Sequence, residues 1–328
     1  MIKFSQYMKK HKVLNDEELE YVKFKEDQLH GEWEDNHARL PMNRFKLISD
    51  IGKHLFNLDE NSIIYSNHKS FDTLPISNPD MNKRGLHIFR MVFSRLRYDP
   101  QSFTNYDWSG LVKYDNYVNE PYADLISEEC KEYPLVTMKT DKNLLVDATT
   151  PGLKHLLVDS PLRQTILSSI KCLDHPDAMM KFRRNTFIQR VNNKPNDNDE
   201  QKVVHSDIFF PAIKFWYFPN EVKDGTFCFV KHSSDLTEEL CDYYYEQSCK
   251  ISNDSWDRKR DRSHPEGSMR IFDHEVTDMG LVRKSVAVSA NTLVIANVGN
   301  FHARGNVTKE WTRNSIHGSI RINEPFRP

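Results

Sequence analysis

The 328-residue chain predicts a mixed α+β fold, with a helical N-terminal extension (residues 1–104) packed on a small β-barrel with flanking helices (residues 105–328). Three observations predict it. Apolar residues recur at helical spacing in the first hundred positions. Runs of β-formers then appear at Thr186–Val191, Ile213–Tyr217 and Asn291–Asn297. Finally, the segment from Thr312 to Asn323 alternates: Asn314, Ile316, Gly318, Ile320 and Ile322 fall on one face, and Arg313, Ser315, His317, Ser319 and Arg321 on the other. An apolar outer face with a polar inner face suits a barrel whose lumen is a site rather than a dry core.

The elements follow in order. Asn15-Asp16-Glu17-Glu18-Leu19-Glu20 supplies a helix cap and an acidic first turn, so residues 15 to 60 read as helical. Leu47, Ile48, Ile51, Leu55 and Phe56 continue a helical stripe, as do Phe89, Met91, Val92 and Leu96, and core packing explains both. The polar stretch from Asn192 to Glu200, punctuated by Pro195, is either a flap over a site or a solvated connector. Residues 233–270 read as an insertion with Tyr243-Tyr244-Tyr245, Trp256 and the run Arg258-Lys259-Arg260-Asp261-Arg262. That patch suits an anionic substrate, or else is a solvated helical face.

His205-Ser206-Asp207 carries the chemistry. With 14 His in the chain, roughly one His-x-Asp is expected by accident. His175-Pro176-Asp177 is such a decoy, because Pro176 removes a backbone donor and interrupts a strand. His205 instead lies between Val203-Val204 and Ile208-Phe209-Phe210, β-formers that place His205 and Asp207 on one face of a strand end. Same-face neighbours stand roughly 6.5–7 Å apart at Cα, which suits a pincer on one ion. The strand Asn291–Asn297 runs toward His302, a third ligand. Two imidazoles and one carboxylate form the facial triad that holds non-haem Fe(II) and leaves positions for a co-substrate and O2. Arg313, eleven positions after His302, can clamp a carboxylate of 2-oxoglutarate bidentately, with Ser315 adding a hydroxyl. Lys214 and Trp216 point either to the lumen or to the core, and Gln189 is a further inward candidate. His317 shares the face of Arg313 as a lumen group, and His232 has no assigned role.

These residues resemble the Fe(II)/2-oxoglutarate-dependent dioxygenases, most closely the phytanoyl-CoA dioxygenase-like group. The resemblance implies a double-stranded β-helix (jelly-roll, cupin-like) core, His205, Asp207 and His302 as metal ligands, and Arg313 as the 2-oxoglutarate anchor. Ser109–Tyr114, Pro121–Leu125 and Asp224–Val230 look like that group's opening strand, helix and Gly-led strand. Two positions depart from it. Arg304 stands where a small hydroxyl residue is usual, and Lys231-His232-Ser233-Ser234 replaces a Gly-Ser-His. The implied reaction oxidises 2-oxoglutarate to succinate and CO2 while a substrate carbon is hydroxylated. Asp207 favours hydroxylation, because related halogenases lack this carboxylate.

Composition narrows the class. Charged residues make up 28% and the net charge is -2, so nothing points to nucleic acid. Five Cys without a Cys-x-x-Cys suggest thiols in a reducing compartment, and the N-terminus lacks a leader-like apolar run, so a cytoplasmic location and no membrane span are expected. Two other readings compete with a hydroxylase acting on a small molecule: a Zn hydrolase on the same three ligands, against which Arg313 and Ser315 argue, and a non-catalytic ligand-binding barrel.

Overall fold

The computed structural model describes residues 3–12, 14–35, 41–56, 88, 89, 92, 110–134, 143–145, 150–169, 181–195, 200–207, 212–251 and 270–321. Outside them lie the His175-Pro176-Asp177 decoy, Ile208–Phe210, Trp256, the run Arg258–Arg262, residues 196–199 of the polar stretch, Met91 and Leu96.

Nine strands form two antiparallel sheets among the described residues. They are β1 (Leu111–Tyr114), β2 (Asn143–Leu145), β3 (Lys181–Asn193), β4 (Ala212–Phe218), β5 (Val222–Val230), β6 (Arg283–Val288), β7 (Thr292–Asn297), β8 (His302–Arg304) and β9 (Trp311–Arg321). The larger sheet has the order β1-β7-β4-β9-β3-β2, and the smaller β6-β5-β8. No pairing among the described strands closes them into the expected barrel. The sheets meet instead through side chains, with Phe227 and Phe229 of the small sheet packed with Ala296, Leu111 and Trp216 of the large one. Bulky rings between two layers hold backbones at side-chain rather than hydrogen-bonding distance, which leaves the sheets open.

The outer face of the large sheet is the stability layer. Ile188, Ile213, Phe215, Tyr217, Leu293, Ile295 and Ile316 bury there against α4 (Glu120–Lys131), α5 (Pro151–Lys154) and α6 (Leu162–Ser169) through Ile126, Leu153, Leu156, Leu162 and Ile166. Each such side chain contributes roughly 1.5–3 kcal/mol on burial. β7 lies between β1 and β4 and is buried on both faces from Thr292 to Ala296, which explains its unbroken apolar run. Gly318 faces Phe215 across the β4–β9 ladder, and a Cβ there would meet the ring at 2.6 Å. Glycine therefore lets the ring lie directly over the strand.

The N-terminal helices are α1 (Phe4–Lys10), α2 (Asp16–Asp35) and α3 (Pro41–Phe56). Asn15 and Glu18 form the reciprocal cap expected from the sequence: the Glu18 amide donates to Asn15 Oδ1 at 2.9 Å and the Asn15 amide to Glu18 Oε2 at 3.0 Å. Buried Glu26 of α2 accepts from the amides of Phe4 and Ser5, satisfying the first turn of α1. Phe4, Met8, Ile48, Ile51, Leu55, Phe89 and Val92 share one buried cluster with Val230, Phe301, Tyr243 and Tyr244. Tyr243 and Tyr244 sit on α7 (Glu238–Ile251). They are core rather than the substrate patch expected of them, because that helix lays its aromatic stripe on Phe301. Cys130, Cys228 and Cys241 are buried free thiols. Among the described residues no helix is long and apolar enough to cross a membrane.

Candidate metal centre

His205 and His302 oppose each other in an antiparallel backbone pair: the His205 amide donates to the His302 carbonyl at 2.9 Å, and the His302 amide donates back at 2.8 Å. Directly opposed residues project to the same side. The two rings therefore lie together, with centroids 4.7 Å apart. Each Nδ1 sits on the carbonyl two residues upstream, His205 on Val203 at 2.7 Å and His302 on Asn300 at 2.9 Å. A carbonyl can only accept, so each Nδ1 carries the proton and each Nε2 presents a lone pair. Asp207 is tethered by its amide to the Val298 carbonyl at 3.0 Å. Its Oδ1 lies 3.8 Å from His205 Nε2 and its Oδ2 3.8 Å from His302 Nε2. Among the described residues, only these three side chains bring ligand atoms together in a group able to hold a metal, all within 4.8 Å of one another.

The electrostatics fit a cation. Burial, reinforced by the neighbouring imidazole, pushes His205 down to about 3, and burial also lowers His302. Both rings are therefore neutral, the form that binds metal. Burial alone would raise Asp207, but the Lys214 ammonium hydrogen-bonded to its Oδ2, helped by the imidazoles, holds the carboxyl well below the usual range. The set is thus two neutral nitrogens and one carboxylate, chemically suited to a first-row divalent ion. Ser206, between the ligands, points the other way and meets the Tyr244 hydroxyl at 2.9 Å. This contact anchors the segment to the core.

A cleft of about 170 Å³ opens over the triad. From the large sheet come Gln189, Lys214, Trp216, Phe218, Arg313 and His317, and from the small sheet Phe227, His302, Ala303 and Arg304. The polar inner face expected of β9 is therefore present. It faces Gln189 on β3 through the Gln189–Ser315 register and Trp216 on β4 through the Trp216–His317 register. Lys214 and Trp216, whose direction the sequence left open, both face the cleft, and Lys214 engages Asp207 there. Ser315 is fully buried on the same face, but it is not among the residues lining the cleft. His232 lies at an exposed turn beside Asp235.

Sequence reasoning missed Gln201, Phe218, Phe227 and Ala303 as wall residues. It noted Arg304 only as a departure from a family pattern. The signal available for Arg304 was its i+2 spacing from His302, which sends both side chains to one face of β8.

No family model and no curated protein matches the chain. Solved structures do. The non-heme alpha ketoglutarate dependent epimerase SnoN from nogalamycin biosynthesis aligns at 11% identity over 68% of this chain and 83% of that one, with a TM-score of 0.40. HygX from Streptomyces hygroscopicus, crystallised with nickel and 2-oxoglutarate, aligns at 14% identity over 67% and 85%, with a TM-score of 0.38. AviO1 from Streptomyces viridochromogenes Tue57 aligns at 11% over 64% and 88%, with a TM-score of 0.36.

Proposed function

We propose that this chain is a non-haem Fe(II)- and 2-oxoglutarate-dependent dioxygenase that hydroxylates a carbon of a small molecule. Substrate, O2 and 2-oxoglutarate would give hydroxylated substrate, succinate and CO2. The observation that carries the reading is the pair of buried imidazoles, each locked by a backbone carbonyl so that its Nε2 faces Asp207. His205, Asp207 and His302 would hold the iron, which supplies O2 activation when bound. Arg313 would clamp the far carboxylate of 2-oxoglutarate, with Gln189 beside it and Ser315 behind. Lys214 keeps Asp207 ionised and fixes its orientation, a supporting role of the kind that tunes metal affinity. Trp216, Phe218 and Phe227 wall the cleft with apolar surface and limit water at the reacting carbon. A jelly-roll core over residues 105–328, with residues 1–104 as a helical extension, belongs to the same reading, as does likeness to the phytanoyl-CoA dioxygenase group. The burial of α1 in one cluster with the small sheet supports that division.

The test is anaerobic addition of Fe(II) and then 2-oxoglutarate, following the visible charge-transfer band of the chelate. Asp207→Ala and His302→Ala are expected to abolish the band by losing iron. Arg313→Ala should keep iron and require more 2-oxoglutarate. Parent-like behaviour of all three variants would refute the assignment.

A further inference from the structure

The described wall of the cleft carries three permanently cationic side chains, Lys214, Arg304 and Arg313, and one carboxylate, Asp207. A divalent ion and a dicarboxylate cancel each other in charge, so a loaded cleft keeps the wall's surplus of two positive charges. Cations in a confined, partly desolvated space favour an anionic partner strongly.

Position singles out Arg304. Arg313 rises from β9 on the large sheet, whereas Arg304 belongs to β8 on the small sheet, two residues past His302. His302 and Arg304 therefore leave the same face of β8 about 6.5–7 Å apart at Cα. Both arginines are less than a tenth exposed, so neither is a solvated surface charge. Arg304 is oriented by Asn193 at the end of β3, whose Oδ1 lies 3.4 Å from Nη1. Asn193 is neutral, so this contact directs the guanidinium without cancelling its charge. The fork geometry of a guanidinium matches two oxygens of a carboxylate or a phosphate.

We infer that the substrate carries its own carboxylate or phosphate and that Arg304 receives it, on the opposite wall from the arginine that holds the co-substrate. The inference rests on the dioxygenase reading, and it adds the class of substrate. The acceptor carbon would lie within a short reach of the anionic group, because Arg304 and the metal-facing His302 are one strand repeat apart.

Calorimetry on protein saturated with Ni(II) and 2-oxoglutarate, where no turnover occurs, tests this with methyl phosphate and acetate as probes. At least one probe should bind saturably, the tighter one naming the group. Arg304→Gln should weaken that probe about tenfold or more, as expected for a lost charged hydrogen bond, while 2-oxoglutarate affinity moves less than about threefold. Arg313→Gln should show the reverse. Arg304→Lys, which keeps the charge, should recover part of the probe's affinity and guards against a folding defect in the glutamine variant. The inference is overturned if Arg304→Gln costs 2-oxoglutarate as much as Arg313→Gln does, if probe binding ignores Arg304, or if neither probe saturates by about 10 mM. Failure of the parent protein to take up 2-oxoglutarate on the metal would instead sink the dioxygenase reading. Probe titrations on the protein loaded with Ni(II) alone would then still decide whether Arg304 is an anion site.

Discussion

The two faces of β9 are buried to similar depth and do opposite things. On one face Ile316 and Gly318 lie in a dry layer with Phe215, Tyr217 and the helices beyond. On the other, Arg313, Ser315 and His317 are equally hidden but polar, and two of them line the cleft over the triad. Burial therefore does not by itself mean core. A strand's period of two lets one segment carry a stability layer and a binding wall, and substitutions should separate them.

The largest effect is expected on the cleft side. Asp207→Ala should lower Fe(II) affinity by more than the roughly 10- to 100-fold typical of a change behind a ligand, measured by metal titration. The metal-free protein should melt close to the parent. A comparable loss of stability would mean that the triad is structural and would break the contrast.

Next comes the dry side. Ile316→Ala should cost roughly 2–5 kcal/mol in urea unfolding, because the helices above it close the hole only partly. The folded fraction should still bind metal with parent affinity. Gly318→Ala should cost about 1–3 kcal/mol, because the new methyl meets the Phe215 ring. If either change removed metal binding from folded protein, the two faces would not be independent.

The smallest effect sharpens the contrast from elsewhere. Glu26 is buried and polar, yet it serves the first turn of α1 and lies outside the cleft. Burial raises its carboxyl above the usual 4.5, against the hydrogen bonds from Ser5 and Phe4 that pull it down. A carboxyl that is harder to ionise when folded binds a proton more readily in the native state. Its stabilising contribution is therefore complete below the unfolded value and falls as pH rises through the raised folded value. Urea midpoints measured upward from pH about 4 should show that decline in the parent and less of it in Glu26→Gln. Metal affinity should not change between the two.

Part of the site was readable because it depends on local periodicity. His205 and Asp207 are two residues apart on an extended segment, and the alternation from Arg313 to His317 follows from backbone geometry without any partner. The helix cap at Asn15 was equally local. The direction of Lys214 and Trp216 was not readable, since two faces of one strand look alike until the neighbouring sheet is known. Nor could the tyrosines of α7 be assigned. An aromatic stripe serves a core or a ligand equally well, and only the position of Phe301 decides.

The sequence by itself determined which side chains share a face, because strand and helix periods are fixed by the covalent backbone. Only the tertiary structure decided that His205 and His302, far apart along the chain, hydrogen-bond to each other as opposed residues. It likewise decided that Lys214 settles on Asp207 and that Arg304 faces the same cleft as Arg313. Those meetings depend on register between distant strands, which long-range packing sets and no local pattern encodes.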